Sequence, residues 1–505
     1  MSPDLPLDSS WLLAILTPDG LSLGSWSIVI GICFGLFFFN LLMTLISYLV
    51  LDSIALLGVR RATRSGLDLF MPRIYERELP GVSMLLTAYN EQDLIATAVR
   101  SLLQLNYPEF ELIVIHDGGK DDTVGVMLRE FDMVSSPVPF TYAVPCKPIK
   151  AIYRSRKYPN LVLIDKENGG KANALNAGIN VARHPLYCGV DADSVLERDS
   201  LLRVVRIFLE RPDTVAAGGT VRIVNGCVVH QGLLEKVGLP RHPLAALQVL
   251  EYIRAFLFGR LGWSYLNALL IISGAFGVFR RDAVIAAGGY REGSMGEDME
   301  LVVRLHHDHL RDRRPYSIHF VPDPVCWTDA PQDLGTLRKQ RIRWQRGLLE
   351  VLHEHRELCF KRGSGTVGWL AYPFMVVVEA LAPILQVLGM VFTVTMWLLG
   401  YLSPTAAMLF MLAEIGFGML LSSTALLLEE RSFHVYPRAR DTLILFFWGI
   451  VESLGYRQLN SWWRLIATWQ WLTGQQATWG AMKRNTHWSN GSSTQTGENP
   501  HDTSV

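Results

Sequence analysis

Residues 26–51 (WSIVIGICFGLFFFNLLMTLISYLVL) hold no charged side chain, and the first charge after them is Asp52. About 20 apolar residues in helical form cross a hydrocarbon core of about 30 Å, so this run is expected to be a transmembrane helix. A cleaved signal peptide fits less well, because the apolar run is too long and no basic residue precedes it. The first 59 residues contain no Lys or Arg, and Arg60, Arg61 and Arg64 follow at once. The positive-inside rule then puts the N-terminus outside and residue 60 onward in the cytoplasm.

A second concentration of apolar residues lies near the other end. Residues 367–401 and 404–428 form two blocks joined through Leu402-Ser403-Pro404, which predicts a tight helical hairpin. Arg431, Arg438 and Arg440 return the following loop to the cytoplasm. A fourth block starts at Leu443 but soon meets Glu452, Arg457 and Arg464, which are costly at a bilayer centre. Residues 443–455 are therefore expected to be a span or half-span. Residues 456–472, with Trp462, Trp463, Trp469 and Trp471, are expected to be an interfacial amphipathic helix. Glu379 and Glu414, inside the hairpin, face a pore or pair with neighbouring helices. The polar tail over 476–505 reads as disordered.

Between these ends, residues 60–362 read as a soluble α/β domain. VSMLLTA (82–88), FELIVIH (110–116) and YCGV (187–190) are buried strands, and an amphipathic helix is expected from about Glu91. Strand–helix alternation predicts a largely parallel sheet with ligand loops at the strands' C-terminal ends. The aromatic, amphipathic stretch 246–273 suits core or membrane surface equally. Lys+Arg and Asp+Glu are 47 each, so there is no basic excess for a general nucleic-acid binder. The six cysteines include no CxxC pair, which signals neither a zinc module nor a redox pair.

Each strand delivers polar and acidic residues to the loop that follows it. The first leads into Thr87-Ala88-Tyr89-Asn90-Glu91, the second into Asp117-Gly118-Gly119 and Asp121-Asp122-Thr123, the third into Asp191-Ala192-Asp193. One such loop alone is usually a capped turn; three in succession on one sheet edge are harder to dismiss. Asp191 and Asp193 can place hard oxygens near one point, as Mg2+ or Mn2+ requires. Lys166–Lys171 (KENGGK) runs into a helix, where glycines let backbone approach an anion and Lys171 adds charge. Glu297-Asp298 opens another helix, as a capping acid or as a base for a hydroxyl. On a basic helix starting near Asp333, Gln340, Arg343 and Trp344 fall at i, i+3, i+4 and share a face suited to a sugar diphosphate. Lys339, Arg341 and Arg346 suit a solvated or lipid-facing side.

Together these motifs resemble those of the membrane-embedded, processive family 2 glycosyltransferases, which include cellulose, hyaluronan, chitin and poly-N-acetylglucosamine synthases. The resemblance rests on Asp117, the Asp191/Asp193 pair, Glu297-Asp298, the QxxRW pattern of Gln340, Arg343 and Trp344, and the flanking helices. It covers about residues 65–475. It implies an α/β GT-A (Rossmann-like) cytosolic domain inserted between N-terminal and C-terminal transmembrane α-helices. Thr87, Glu91, Asp117, Lys171, Asp191 and Asp193 are then expected to bind the nucleotide-sugar. Asp193, helped by Asp191, would ligate Mg2+ or Mn2+. Asp298 would deprotonate the acceptor, and Gln340, Arg343 and Trp344 would contact the diphosphate and the terminal acceptor sugar. SGAFGVF (273–279) resembles the segment that touches the acceptor. The implied partners are a UDP-sugar donor, a glycan or lipid acceptor, membrane lipids, and a second copy or an export subunit; no nucleic acid is implied. The implied location is the bacterial cell membrane.

The chain departs from cellulose synthases in several ways. About four spans are expected, fewer than in those enzymes. KRGSGTVGW (361–369) stands where they carry an FxVTxK-type gating loop, and the tail has no room for a PilZ domain. ESLGYRQLNSWWRL (452–465) looks closer to the poly-N-acetylglucosamine branch. The motifs also suit a non-processive enzyme that adds one sugar to a lipid, as ceramide glucosyltransferases do. A non-catalytic scaffold on the same frame would have lost a key acid, and Asp117, Asp191, Asp193 and Asp298 are all retained.

Overall fold

A computed structural model of the 505-residue chain describes residues 24–64, 79–136, 139–436 and 438–475. The tail expected over 476–505 lies outside the described residues, as does the start of the cytosolic domain before residue 79. A long helix, α1 (Gly24–Arg64), comes first. The next elements alternate: β1 (Val82–Ala88), α2 (Ile95–Leu102), β2 (Phe110–His116), α3 (Thr123–Glu130), β3 (Met133–Ser135), β4 (Ile149–Ser155), β5 (Leu161–Lys166), α4 (Lys171–Val181) and β6 (Leu186–Asp191). Then come β7 (Val195–Leu196), α5 (Ser200–Glu210), β8 (Thr214–Ile223), the hairpin β9 (Val228–His230) and β10 (Leu233–Lys236), α6 (Pro243–Tyr252) and α7 (Gly259–Tyr265). The domain closes with β11 (Phe276–Arg280), α8 (Arg281–Ala286), α9 (Glu297–Asp312), β12 (Ser317–Thr328) and α10 (Leu334–Glu354).

Ten strands form one sheet in the order β3-β4-β5-β2-β1-β6-β11-β8-β12-β7. The four central strands β5, β2, β1 and β6 are parallel, as the strand–helix alternation predicts. The sheet as a whole is mixed, because β11 runs antiparallel to both β6 and β8, and β4 runs antiparallel to β5. β1 and β2 are apolar runs buried along nearly their whole length, too short to make a helix and entered through Pro80-Gly81 and Tyr107-Pro108. α4 lies directly on them. A Cβ at Gly178 would stand 3.0 Å from Leu85 and 3.1 Å from Ile115, so glycine sets the helix–sheet distance. The buried amides of Asn173, Asn176 and Asn180 bond the backbone of Lys147, Tyr290 and Val144, stapling distant loops onto this helix.

The stretch 243–265 is packed between the sheet and the apolar helices, with Ile253, Leu257 and Leu261 at most 2 % exposed. It is not laid on a free membrane surface. A Cβ at Gly262 would stand 2.8 Å from the Leu51 carbonyl oxygen, so α7 and α1 meet almost backbone to backbone. Beyond α10 the chain forms the helical run Val367–Leu398, whose last part is α11 (Ala382–Leu398), and then α12 (Pro404–Ser432), α13 (Ala439–Val451) and α14 (Arg457–Leu472). Among the described residues three helices are long and apolar enough to cross a membrane: Ile28–Gly58, Val367–Leu398 and Pro404–Arg431. The block at 443–455, expected as a span or half-span, is not among them. The 13 residues of α13 rise only about 20 Å, and the chain then leaves helical geometry at Leu454 and Gly455.

Several charged side chains in and beside these helices are paired. Arg254 donates to Glu452 at 2.8 Å, and Glu452 also accepts from Ser422 at 2.7 Å. Glu379 accepts from Tyr48 and lies 3.9 Å from Arg464; Glu414 accepts from Gln386 at 3.0 Å and Gln458 at 3.3 Å. Arg222 at the end of β8 meets Glu429 of α12 at 2.7 Å, both 2 % exposed, tying the sheet to the helical hairpin. Removing one partner of a buried pair strands the other charge. Glu429→Ala is therefore expected to destabilise the purified protein by about 3–5 kcal/mol, while Arg222→Met with Glu429→Leu recovers most of the loss. Denaturant unfolding in detergent checks both.

Candidate active site

The parallel register decides which residues meet. Thr87 pairs with Asp191 across β1 and β6, and Ala88 pairs with His116 across β1 and β2. The exits of three adjacent strands therefore share one sheet edge. The first two exit loops are stapled together: Lys120 N–H donates to Asn90 Oδ1 at 2.8 Å, Glu91 N–H to Thr123 Oγ1 at 3.0 Å, and Gln92 N–H to Asp121 at 2.9 Å. Gly119 N–H donates to His116 Nε2 at 2.9 Å, which leaves the Nδ1 proton for Asp165 at 2.7 Å.

Asp117 follows β2 and is almost fully buried. Its carboxylate accepts from Lys166 Nζ at 2.6 Å, from the N–H groups of Gly169 and Gly170 at 3.0 and 2.7 Å, and from Asn168 Nδ2 at 3.3 Å. Lys166 itself has no exposure at all. Asp117 thus shapes the loop that delivers Lys171 to the start of α4, and Gly170 takes the left-handed φ of +85° that the turn needs.

Lys171 Nζ donates to Asp191 at 2.5 Å and to the Gly274 carbonyl at 3.1 Å. Gly274 N–H donates to Asp298 Oδ2 at 3.1 Å, and Met299 N–H holds the other oxygen, Oδ1, at 2.8 Å. One residue, Gly274, thus bridges the lysine and the acid of α9 through its N–H and its carbonyl. A Cβ on Gly274 would stand 3.0 Å from Lys171 Nζ and 3.6 Å from Asp298 Oδ2, so a side chain there would press on the lysine ammonium. Lys171, Ser273, Gly274, Tyr290, Glu297 and Asp298 line one small cavity. Burial acts to lower the Lys171 pKa, but the carboxylates of Asp191, Glu297 and Asp298 outweigh it and hold the ammonium above its ordinary range. Burial pushes Glu297 up to about 7 against the pull of Lys171, with Asp298 adding to the rise. Asp193 sits two residues past Asp191 in a turn closed by Ser194 N–H on the Asp191 carbonyl at 3.0 Å.

Gln340, Arg343 and Trp344 lie on α10, with Gln340 buried and the other two half-buried. α10 touches the turn just before Asp298. A Cβ at Gly347 would meet the Gly296 nitrogen at 3.0 Å, and Met295 N–H donates to Glu350 at 3.2 Å. The QxxRW helix is thereby fixed against the first turn of α9. Lys339 is exposed as expected. Arg341 and Arg346 are not solvated or lipid-facing. They are 3 % and 8 % exposed, because α6 and the chain after α14 cover that side; Arg341 donates to Glu251 at 2.7 Å and Arg346 to the Gln475 carbonyl at 2.6 Å.

The structure adds Tyr290, which carries no local signal, to the residues singled out from sequence; Lys166 and Gly274 lie within the segments 166–171 and 273–279 picked out there, and the structure gives each its individual contact. Two family models match the chain: glycosyl transferase family 2 over residues 83–142 and glycosyl transferase family group 2 over residues 189–421. The chain carries family 2 glycosyltransferase domains over these residues. It is 30% identical over 282 residues to a poly-β-1,6-N-acetyl-D-glucosamine synthase of Staphylococcus aureus (strain MSSA476), covering 56% of this chain and 58% of that one. It is also 30% identical over 285 residues to the Staphylococcus epidermidis synthase, with the same coverage. The chain therefore spans a little over half the length of these relatives. A mannosyltransferase from Pyrobaculum calidifontis, solved in complex with GDP-Man and Mn2+, shares the GT-A fold. Its TM-score is 0.52 at 17% identity, over 86% of this chain and 100% of that one.

The raised Glu297 pKa has a sign. The folded state binds the proton up to about pH 7, whereas an ordinary glutamate releases it near 4.5. Stability contributed by that proton is present below about 4.5 and is lost as pH rises through about 7. Thermal unfolding in detergent is expected to show this fall, and Glu297→Gln is expected to flatten it.

Proposed function

We propose that this chain is an inverting glycosyltransferase that moves a sugar from a UDP-sugar to the end of a growing β-linked polysaccharide and passes the product into the membrane. The observation that carries this reading is one ammonium, Lys171, facing three carboxylates, Asp191, Glu297 and Asp298, at the edge where the strands end. A carboxylate excess there suits a donor that arrives with a divalent cation, and it leaves an acid free to take a hydroxyl proton.

The roles follow from position. Thr87, Glu91 and the loop shaped by Asp117 form the nucleotide side of the edge. The carboxylates of Asp191 and Asp193 fit Mg2+ or Mn2+. They are hard oxygen donors, Asp191 is 32% exposed at the strand exit, and its present partner is a cation. When bound, such an ion stabilises charge building on the diphosphate leaving group. Lys171 and Arg343 add cationic contacts to the same phosphates. Asp298, fixed through Gly274, accepts the proton of the acceptor hydroxyl as that oxygen attacks the anomeric carbon opposite the leaving group, so an α-linked donor gives a β-linkage. Trp344 stacks on the terminal acceptor sugar, and Gln340 binds beside it.

The named activity of the Staphylococcus relatives favours UDP-N-acetylglucosamine as donor and a β-1,6-linked polymer as product. The basic residues after position 59 favour an N-terminus outside and a catalytic domain in the cytoplasm, and the Staphylococcus relatives favour a bacterial cell membrane. A second copy or an export subunit would complete a channel with few spans.

The test uses membranes holding the full chain and radiolabelled UDP-N-acetylglucosamine, with UDP-glucose, UDP-galactose and UDP-glucuronate in parallel. High-mass label is expected from the first, with Asp298→Asn lowering it about 10²–10⁴-fold. Label found only in the organic phase would overturn the polymer reading in favour of a glycolipid enzyme.

A further inference from the structure

We infer that Arg341, at a position the QxxRW pattern leaves unspecified, is a positioning residue that holds the Trp344 ring for the acceptor sugar and is itself held by Glu251 and Tyr456. The inference rests on the proposed glycosyltransferase reading. The Arg341 guanidinium carbon lies 4.3 Å from the centroid of the Trp344 ring. A planar cation at this distance over an indole is attracted to the ring face and fixes its tilt. The guanidinium is in turn anchored: Nη2 donates to Glu251 Oε2 at 2.7 Å, and the Tyr456 hydroxyl donates to the same oxygen at 2.9 Å.

The three residues come from three elements. Glu251 sits in the last turn of α6, in the catalytic domain. Arg341 and Trp344 lie one turn apart on α10. Tyr456 ends the irregular turn after α13, directly after Gly455, where φ is 157° and helical geometry breaks. A helix that continued through residue 455 would send Tyr456 in another direction. The break therefore aims its hydroxyl at Glu251, and the ring of Trp344 is referenced both to the catalytic domain and to the helices beside the membrane. Arg341 is buried, so its charge would be costly there without such a partner. An alternative purpose, packing alone, would be met as well by methionine.

The test uses full-length protein in lipid nanodiscs, with donor and a β-1,6-linked N-acetylglucosamine oligosaccharide varied separately. Arg341→Met is expected to raise the acceptor KM about ten-fold, the size of a desolvated cation–π contact, while the donor KM stays within about two-fold. Arg341→Lys is expected to fall between, since it keeps the charge but not the plane. Glu251→Gln and Tyr456→Phe are expected to act in the same direction, and Arg341→Met with Glu251→Gln to be no worse than Arg341→Met alone. Equal changes in both KM values, or additive losses, would overturn the proposal. An electron cryo-microscopy structure of Arg341→Met reads the same claim without turnover: the Trp344 indole is expected to leave its place, and an unmoved indole overturns it. Wild-type protein that transfers no sugar would count against the glycosyltransferase reading, not against the positioning of Trp344.

Discussion

The contact on which the site depends is the 2.5 Å pair between Lys171 and Asp191. It joins the first residue of α4 to the last residue of β6, and through Gly274 it reaches Asp298 at the start of α9. Lys171 and Asp191, which are close in sequence, are thereby brought to one point with Asp298, about a hundred residues further along the chain. None of the three reaches it by side-chain length alone. Lys171 is placed by the loop that Asp117 shapes, Asp191 by the parallel register with Thr87, and Asp298 by the Gly296–Gly347 approach of α10. The cation is outnumbered by carboxylates, and this imbalance gives the edge its chemistry.

The catalytic domain is not loosely tethered to its apolar helices. Arg222–Glu429, Arg254–Glu452 and Arg341–Glu251–Tyr456 are buried polar links between them. Each is expensive to dehydrate and each is paired with a partner from another element, so together they resist sliding of the domain across the membrane-side helices. Close glycine contacts do the same for the backbone, as at Gly262 against Leu51. The proposed hand-over of product from the site to the membrane would need this fixed relation.

Much of the fold was legible because it is local. The bounds of β1 and β2 coincide with the apolar runs 82–88 and 110–116, whose entries carry Pro and Gly. The acids at the strand ends were legible for the same reason. What escaped was tertiary. That Asp117 spends its carboxylate on Lys166 and the glycine loop depends on a segment about fifty residues away. That Arg341 and Arg346 are buried depends on α6 and the end of α14 covering a helix whose own sequence reads as basic surface. The antiparallel β11 also needs the rest of the structure to be seen.

The most direct measurement is UDP binding to the full chain in nanodiscs by calorimetry, with and without Mn2+. The account predicts binding that needs the ion, is lost in Asp191→Asn and Asp193→Asn, and persists in Asp298→Asn. Equal binding without the ion, or binding indifferent to both aspartates, would contradict it.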